Sequence, residues 1–193
     1  MMGKLTREPE ERWVRRHVPF RSRPVSRGGP RTYVGQWLRA VLLRQRELRD
    51  RLRIKLNGGR QTGWNDDEPA VVEAACESAV ARFFGANYDV HDITAFAALL
   101  REAAGNDPAH DQLKTEAVIR LALGEPDVDT RGITPGQMFS IRGNVLAGVV
   151  GKLGLGEVDV DLLITDAEKV AVERGWNPPL VPGQASSACR ARA

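Results

Sequence analysis

Apolar side chains recur every three or four positions along most of this chain, and residues that start or stop helices stand between those stretches. Val34, Leu38, Val41, Leu48 and Leu52 are spaced by 4, 3, 7 and 4 residues. With Gln45 filling the gap they form the alternating rhythm of a heptad seam. Trp37, Leu42 and Leu56 widen the stripe. The pattern predicts one helix over residues 31–56, roughly 40 Å long at 1.5 Å per residue. Asn57-Gly58-Gly59 should end it, because Asn and Gly tolerate the left-handed C-terminal position.

Five more helices are expected over residues 67–176. The first starts near Asp67-Glu68-Pro69, buries Val72, Ala75, Cys76, Ala79, Val80 and Phe83, and stops at Gly85. The second runs from Asp92 to Gly105 with Ile93, Phe96, Leu99, Leu100 and Ala103 inward. Asp107-Pro108 opens the third, whose inner face is Leu113, Ala117, Leu121 and Ala122 and whose end is Gly124. Thr134-Pro135-Gly136-Gln137 is a capping box with Pro at the first helical position, and the fourth helix should reach Leu153. A second box, Thr165 to Glu168, marks the last helix, with Asp161 as an earlier possible start and Gly175 as its end. Strand signals at Tyr88–Val90 and Val158–Val160 are too short for a sheet. The expected fold is therefore all-α: a bundle of about five helices, preceded by a long basic amphipathic helix.

The fourth of these helices carries small residues on one stripe. Gly136, Ser140, Gly143, Ala147, Gly151 and Gly154 recur at helical spacing, opposite Met138, Phe139, Val145, Leu146, Val149, Val150 and Leu153. Glycine inside a helix costs about 1 kcal/mol relative to alanine, so the stripe predicts close approach of another helix and a central, buried position.

Charge divides the chain. Residues 1–60 hold 17 Lys and Arg against 5 Asp and Glu, a balance of +12, while the remainder stands at −9. Residues 1–30 are basic, low in aliphatics and punctuated by Pro9, Pro19, Pro24 and Pro30, which predicts a disordered arm. The organisation expected is an arm at 1–30, a basic helix and linker at 31–66, an acidic helical domain at 67–176 and a flexible tail at 177–193. Arginine outnumbers lysine 23 to 5 in an alanine-rich chain, as GC-rich bacterial coding also produces.

The basic helix carries the clearest chemistry. Arg39, Arg44, Arg46, Arg49, Arg51, Arg53 and Lys55 supply the positive charge that phosphates require. Trp13, Phe20, Tyr33, Trp37 and Trp64 are interleaved with the arginines, where rings can stack on bases. The function expected is non-enzymatic binding or regulation through a polyanion, nucleic acid first. An acidic protein partner is the alternative, as adaptor or homodimer, on the seam of Val34, Trp37, Leu38, Val41, Leu48 and Leu52. An enzyme is the third reading, with a site assembled only in three dimensions.

Other chemistry lacks its motifs. Gly148 to Lys152 is no Walker A loop, because Leu146 and Leu153 stand where Gly and Ser or Thr are required. Asp127/Asp129 and Asp159/Asp161 lack the rest of an EF-hand and read as caps and turns. His91-Asp92 has no further metal ligand at recognisable spacing, and no G-x-S-x-G is present. Cys76 and Cys189 are too few for a disulfide framework or a four-ligand zinc site. No metal or cofactor is expected. With no apolar run of about 18 residues and no secretory apolar region, the expected location is cytoplasmic.

Overall fold

Helix starts in this protein are set by side chains that satisfy the orphan N–H groups of a first turn. A computed structural model describes residues 28–56, 68–105 and 111–182. Over these residues the chain is all-α, with seven helices. They are α1 (Tyr33–Leu42), α2 (Arg46–Leu56), α3 (Glu68–Phe84), α4 (Val90–Ala103), α5 (Gln112–Ala122), α6 (Pro135–Leu153) and α7 (Glu157–Glu173). Thr32, Asp89, Asp111 and Thr134 cap α1, α4, α5 and α6 through their side-chain oxygens. The capping box at Thr134 and Gln137 forms as its sequence predicts, and Gly154 ends α6 with a left-handed φ of 61°. The start of α7 differs from expectation. It lies at Gly156, whose N–H donates to the Asp159 carboxylate at 3.3 Å.

The helix at the centre is α3, not α6. Ala70, Val71, Val72, Ala74, Ala75, Cys76, Ala79, Val80, Phe83 and Phe84 are all buried, which covers nearly its whole circumference. It packs against α6, α7, α1 and α5. Phe83 and Phe84 meet Phe96 of α4 at ring-centroid distances of 5.0 and 5.8 Å, tilted and edge-on. On α6 only Ile141, Val145, Leu146, Val149 and Val150 are buried. Its small-residue stripe faces open space: nothing lies within 4 Å of a Cβ built at Gly136, Gly143 or Gly151. The close helix contact expected along this stripe is absent, and Gly148, off the stripe, is where Leu100 packs down onto α6. On α5 the inner face is Thr115, Val118 and Ile119; Leu113, expected inward, is 76% exposed.

The largest departure is the single helix expected over 31–56. It is two helices, broken at Leu43-Arg44-Gln45 with Arg44 in the left-handed region at φ 57°. No Gly or Pro marks this break. The physical reason lies in packing. A straight helix would carry Leu48 and Leu52 away from the protein into water. The turn packs α2 against α1 and buries Leu52. Burying one leucine yields about 1.5–3 kcal/mol, against about 1–2 kcal/mol for a left-handed non-Gly residue.

The first helix shares its core with the helices that follow residue 67. Val34 and Leu38 join α3, α6 and α7 in one apolar cluster. Residues 177–182, expected as part of a tail, are tied to the start of α1. The N–H of Tyr33 donates to the Pro179 carbonyl at 3.0 Å, and that of Val181 to the Arg31 carbonyl at 2.9 Å. The arm at 1–27, the linker at 57–67, the helix start at Asp107-Pro108 and the chain after 182 lie outside the described residues.

Candidate functional site

The basic residues of 39–55 separate into those used by the fold and those left on its surface. Arg39 is used. Its Nε donates to Asp161 and its second guanidinium nitrogen reaches Glu157 at 3.3 Å, both on α7. The hydrogen bond that Arg39 donates to Asp161 raises the Arg39 pKa above its ordinary value. Burial opposes this, and the charges of Asp161 and Glu157 reinforce it. Arg39, named above among the polyanion-binding residues, is thus a partly buried cation that fastens α1 to α7.

The others lie on α2 and the turn before it. Arg44, Arg46, Arg51, Arg53 and Lys55 are exposed, and among the described residues none of them pairs with a carboxylate. The Nε of Arg51 donates only to the Glu47 carbonyl, at 3.4 Å. Arg49 pairs with its neighbour Asp50 at 2.8 Å, an exposed contact of the kind worth little in water. Most of the described arginines elsewhere are paired. Arg142 is bonded to Glu73, Arg174 to Glu77 and Arg120 to Glu125. Unpaired positive charge thus concentrates at α2.

A shallow depression lies at the turn. Arg44, Arg46 and Arg49 line a groove of about 320 Å³ together with Ala40 and Val41 of α1. The sequence pattern had no means to foresee it, because a straight helix points these residues in different directions.

The apolar seam is spent inside the molecule. Val34 and Leu38 are fully buried, Leu52 is buried, and Trp37, Val41 and Leu48 are half-buried. Trp37 stacks on Phe139 of α6, with ring centroids 6.0 Å apart. The break at Arg44 divides these positions between two helices, Val34 to Val41 on α1 and Leu48 and Leu52 on α2. Tyr33 is half-buried, and Trp13, Phe20 and Trp64 fall outside the described residues.

The remaining candidates resolve into structural parts. Among the described residues no three His, Cys, Asp or Glu side chains come together to hold a metal ion. Asp129 binds Arg131, Asp159 caps α7, and His91 donates its backbone N–H to Asp89. Burial pushes the Cys76 thiol up to about 12, so it is a neutral packing group at physiological pH. No helix of the described residues is long and apolar enough to cross a membrane.

One residue central to the architecture was legible only as something else. Glu168, read as half of a capping box, is 6% exposed. It accepts the N–H groups of Arg31 and Thr32 at 2.9 and 2.8 Å and the Thr32 hydroxyl at 2.7 Å. Thr32 in turn accepts the Gly35 N–H at 2.9 Å. A buried carboxylate of α7 thereby anchors the N-terminus of α1, where negative charge is favoured by the helix dipole.

No family model matches this chain, and neither a curated protein nor a solved structure matches it. The functional reading therefore rests on the residues themselves.

Proposed function

We propose that α2 and the turn before it form a polyanion-binding element, and that the polyanion is nucleic acid. The observation that carries this reading is that, among the described residues, Arg44, Arg46, Arg51, Arg53 and Lys55 have no acidic partner, whereas the described arginines elsewhere are largely paired. Exposed unpaired cations on a short helix are matched to a linear anion. Arg46 and Arg53 share one face of α2, about 11 Å apart along its axis, and Arg51 and Lys55 share another, about 6 Å apart; these are about three and two phosphate spacings of one duplex strand at about 3.4 Å each. Contacts of this type neutralise phosphates and release counterions without reading sequence. The element is held chiefly by α1, so its outer surface is left open to a partner.

The test is a binding titration of the full chain against generic single-stranded and duplex nucleic acid at two salt concentrations. Log affinity should fall with log salt by about 0.9 for each phosphate neutralised on a duplex. Arg46, Arg51 and Arg53 changed together to Glu should abolish binding with the helical content unchanged. Equal and negligible binding by both proteins at low salt overturns the reading.

A further inference from the structure

We infer that the α1–α2 turn is a seat for a single phosphate group, held by Arg44, Arg46 and Arg49. Four observations converge there. The three arginines line one shallow, half-open groove. Arg44 and Arg46 have no carboxylate partner among the described residues, and that of Arg49 is an exposed neighbour. The carbonyls of Arg39, Ala40 and Val41 accept the N–H groups of Leu43, Gln45 and Arg44, and the three guanidinium groups stand against the negative end of the α1 dipole. The fourth is the backbone at Arg44. A left-handed φ of 57° is the conformation that Gly or Asn adopts at least cost, yet a long cation stands there.

The chemistry of the lining selects the anion. A guanidinium presents a planar fork of donors that matches phosphate oxygens in pairs. A carboxylate has two oxygens and one charge, which one arginine satisfies; three arginines around one groove suit the larger oxygen set of a phosphate. At about 320 Å³ the groove is at the lower end of small-molecule sites. Those sites are mainly apolar, whereas this one offers only Ala40 and Val41 as apolar lining. Identifying the occupant as a phosphodiester of a nucleic-acid strand rests on the function proposed above; the seat itself stands on the groove.

The experiment uses the full chain and inorganic phosphate as probe. Backbone amide and arginine Nε resonances are followed by NMR during titration at low ionic strength, with acetate as the carboxylate control. A saturable shift confined to residues 40–49 is expected, absent with acetate. Arg44→Gly is the informative variant. It removes the guanidinium while relieving the left-handed backbone, so its thermal midpoint should hold or rise while phosphate affinity falls at least five-fold. Arg46→Gln and Arg49→Gln should weaken phosphate similarly, and Arg53→Gln and Lys55→Gln should leave it unchanged. Shifts spread evenly along α2, an equal response to acetate, or full phosphate affinity in Arg44→Gly would each overturn the seat.

An oligonucleotide titration on the same variants separates the two claims. Oligonucleotide binding that depends on Arg51, Arg53 and Lys55 but not on Arg44 leaves the polyanion reading standing and removes the strand as the ligand of the seat; the seat itself falls if the phosphate response is also independent of Arg44. A saturable phosphate response with no oligonucleotide binding keeps the seat and removes the strand as its ligand.

Discussion

Glu168 is the single acidic side chain buried among the described residues, and its three hydrogen-bond donors leave it no freedom to be replaced. Glu168→Ala strands two backbone N–H groups and a hydroxyl in the interior. A loss of about 3–5 kcal/mol is expected in urea unfolding. Gly35 reports on the same site from the other helix. Alanine within a helix normally stabilises by up to about 1 kcal/mol over glycine. A Cβ at Gly35 would collide with Oε1 of Glu168 and sit 2.9 Å from Oγ1 of Thr32. Gly35→Ala should therefore destabilise, by about 1–3 kcal/mol, as overpacking does.

Cys76 gives a pH signature at the same scale. Its folded pKa is raised by burial to about 12 from an ordinary 9.0. Its contribution is fully present below pH 9 and lost as pH rises toward 12, because the unfolded thiol ionises while the folded one does not. The loss is about 1.4 kcal/mol per pH unit in that window. Comparing the pH dependence of unfolding for the natural chain and Cys76→Ala isolates it, and a thiol reagent at pH 8 should reach Cys76 no faster than the protein unfolds.

At the scale of elements, α6 and the α1–α2 pair give opposite lessons about pattern. The glycines of α6 lie in open space, so Gly143→Ala and Gly151→Ala should each stabilise by about 0.5–1 kcal/mol in thermal or urea unfolding. Ala147→Leu, on the same exposed face, should change stability by no more than about 0.5 kcal/mol. A loss of 2 kcal/mol there would mean that the face is packed. On the basic helices the division between internal and free cations has its own test. Arg39→Ala should cost about 1 kcal/mol by releasing Asp161 and Glu157. Arg53→Ala and Lys55→Ala should fall within about 0.5 kcal/mol of the natural chain, while weakening polyanion binding.

At the scale of the whole molecule, the basic and acidic parts of the chain are joined through a shared core. Val34 and Leu38 sit fully buried beside α3, α6 and α7, and Arg31 and Thr32 satisfy Glu168 of α7. A chain lacking residues 1–61 would expose that cluster and strand a buried carboxylate. It is expected to lose cooperative melting in calorimetry, although every strong helix signal of 67–176 is retained. Removal of residues 1–27, which precede the anchored segment, should leave the melting of the remainder cooperative. The same architecture gives the charge division its use. Arg39 spends its charge on joining α1 to α7, and α2 carries the surplus on the outside.

Local chemistry alone determined much of this protein. The all-α class, the capping box at Thr134, the left-handed stop at Gly154 and the buried positions of α3 follow from side chains within a turn of one another. Such signals depend on periodicity and on hydrogen bonds three or four residues long. The break at Arg44 was not legible, because no residue there forbids a helix; the burial of Leu52 favours the turn, and burial requires a second element. The exposure of the α6 stripe was hidden for a related reason, since small residues permit close contact without compelling it. Glu168 carried a local meaning, a helix cap, that gave way to partners 136 and 137 residues away. The same holds for the basic residues: their number and order are written in the chain, but which of them is neutralised and which lines a groove depends on where α7 and the turn come to lie. Charge acts through space, and only the folded chain sets those distances.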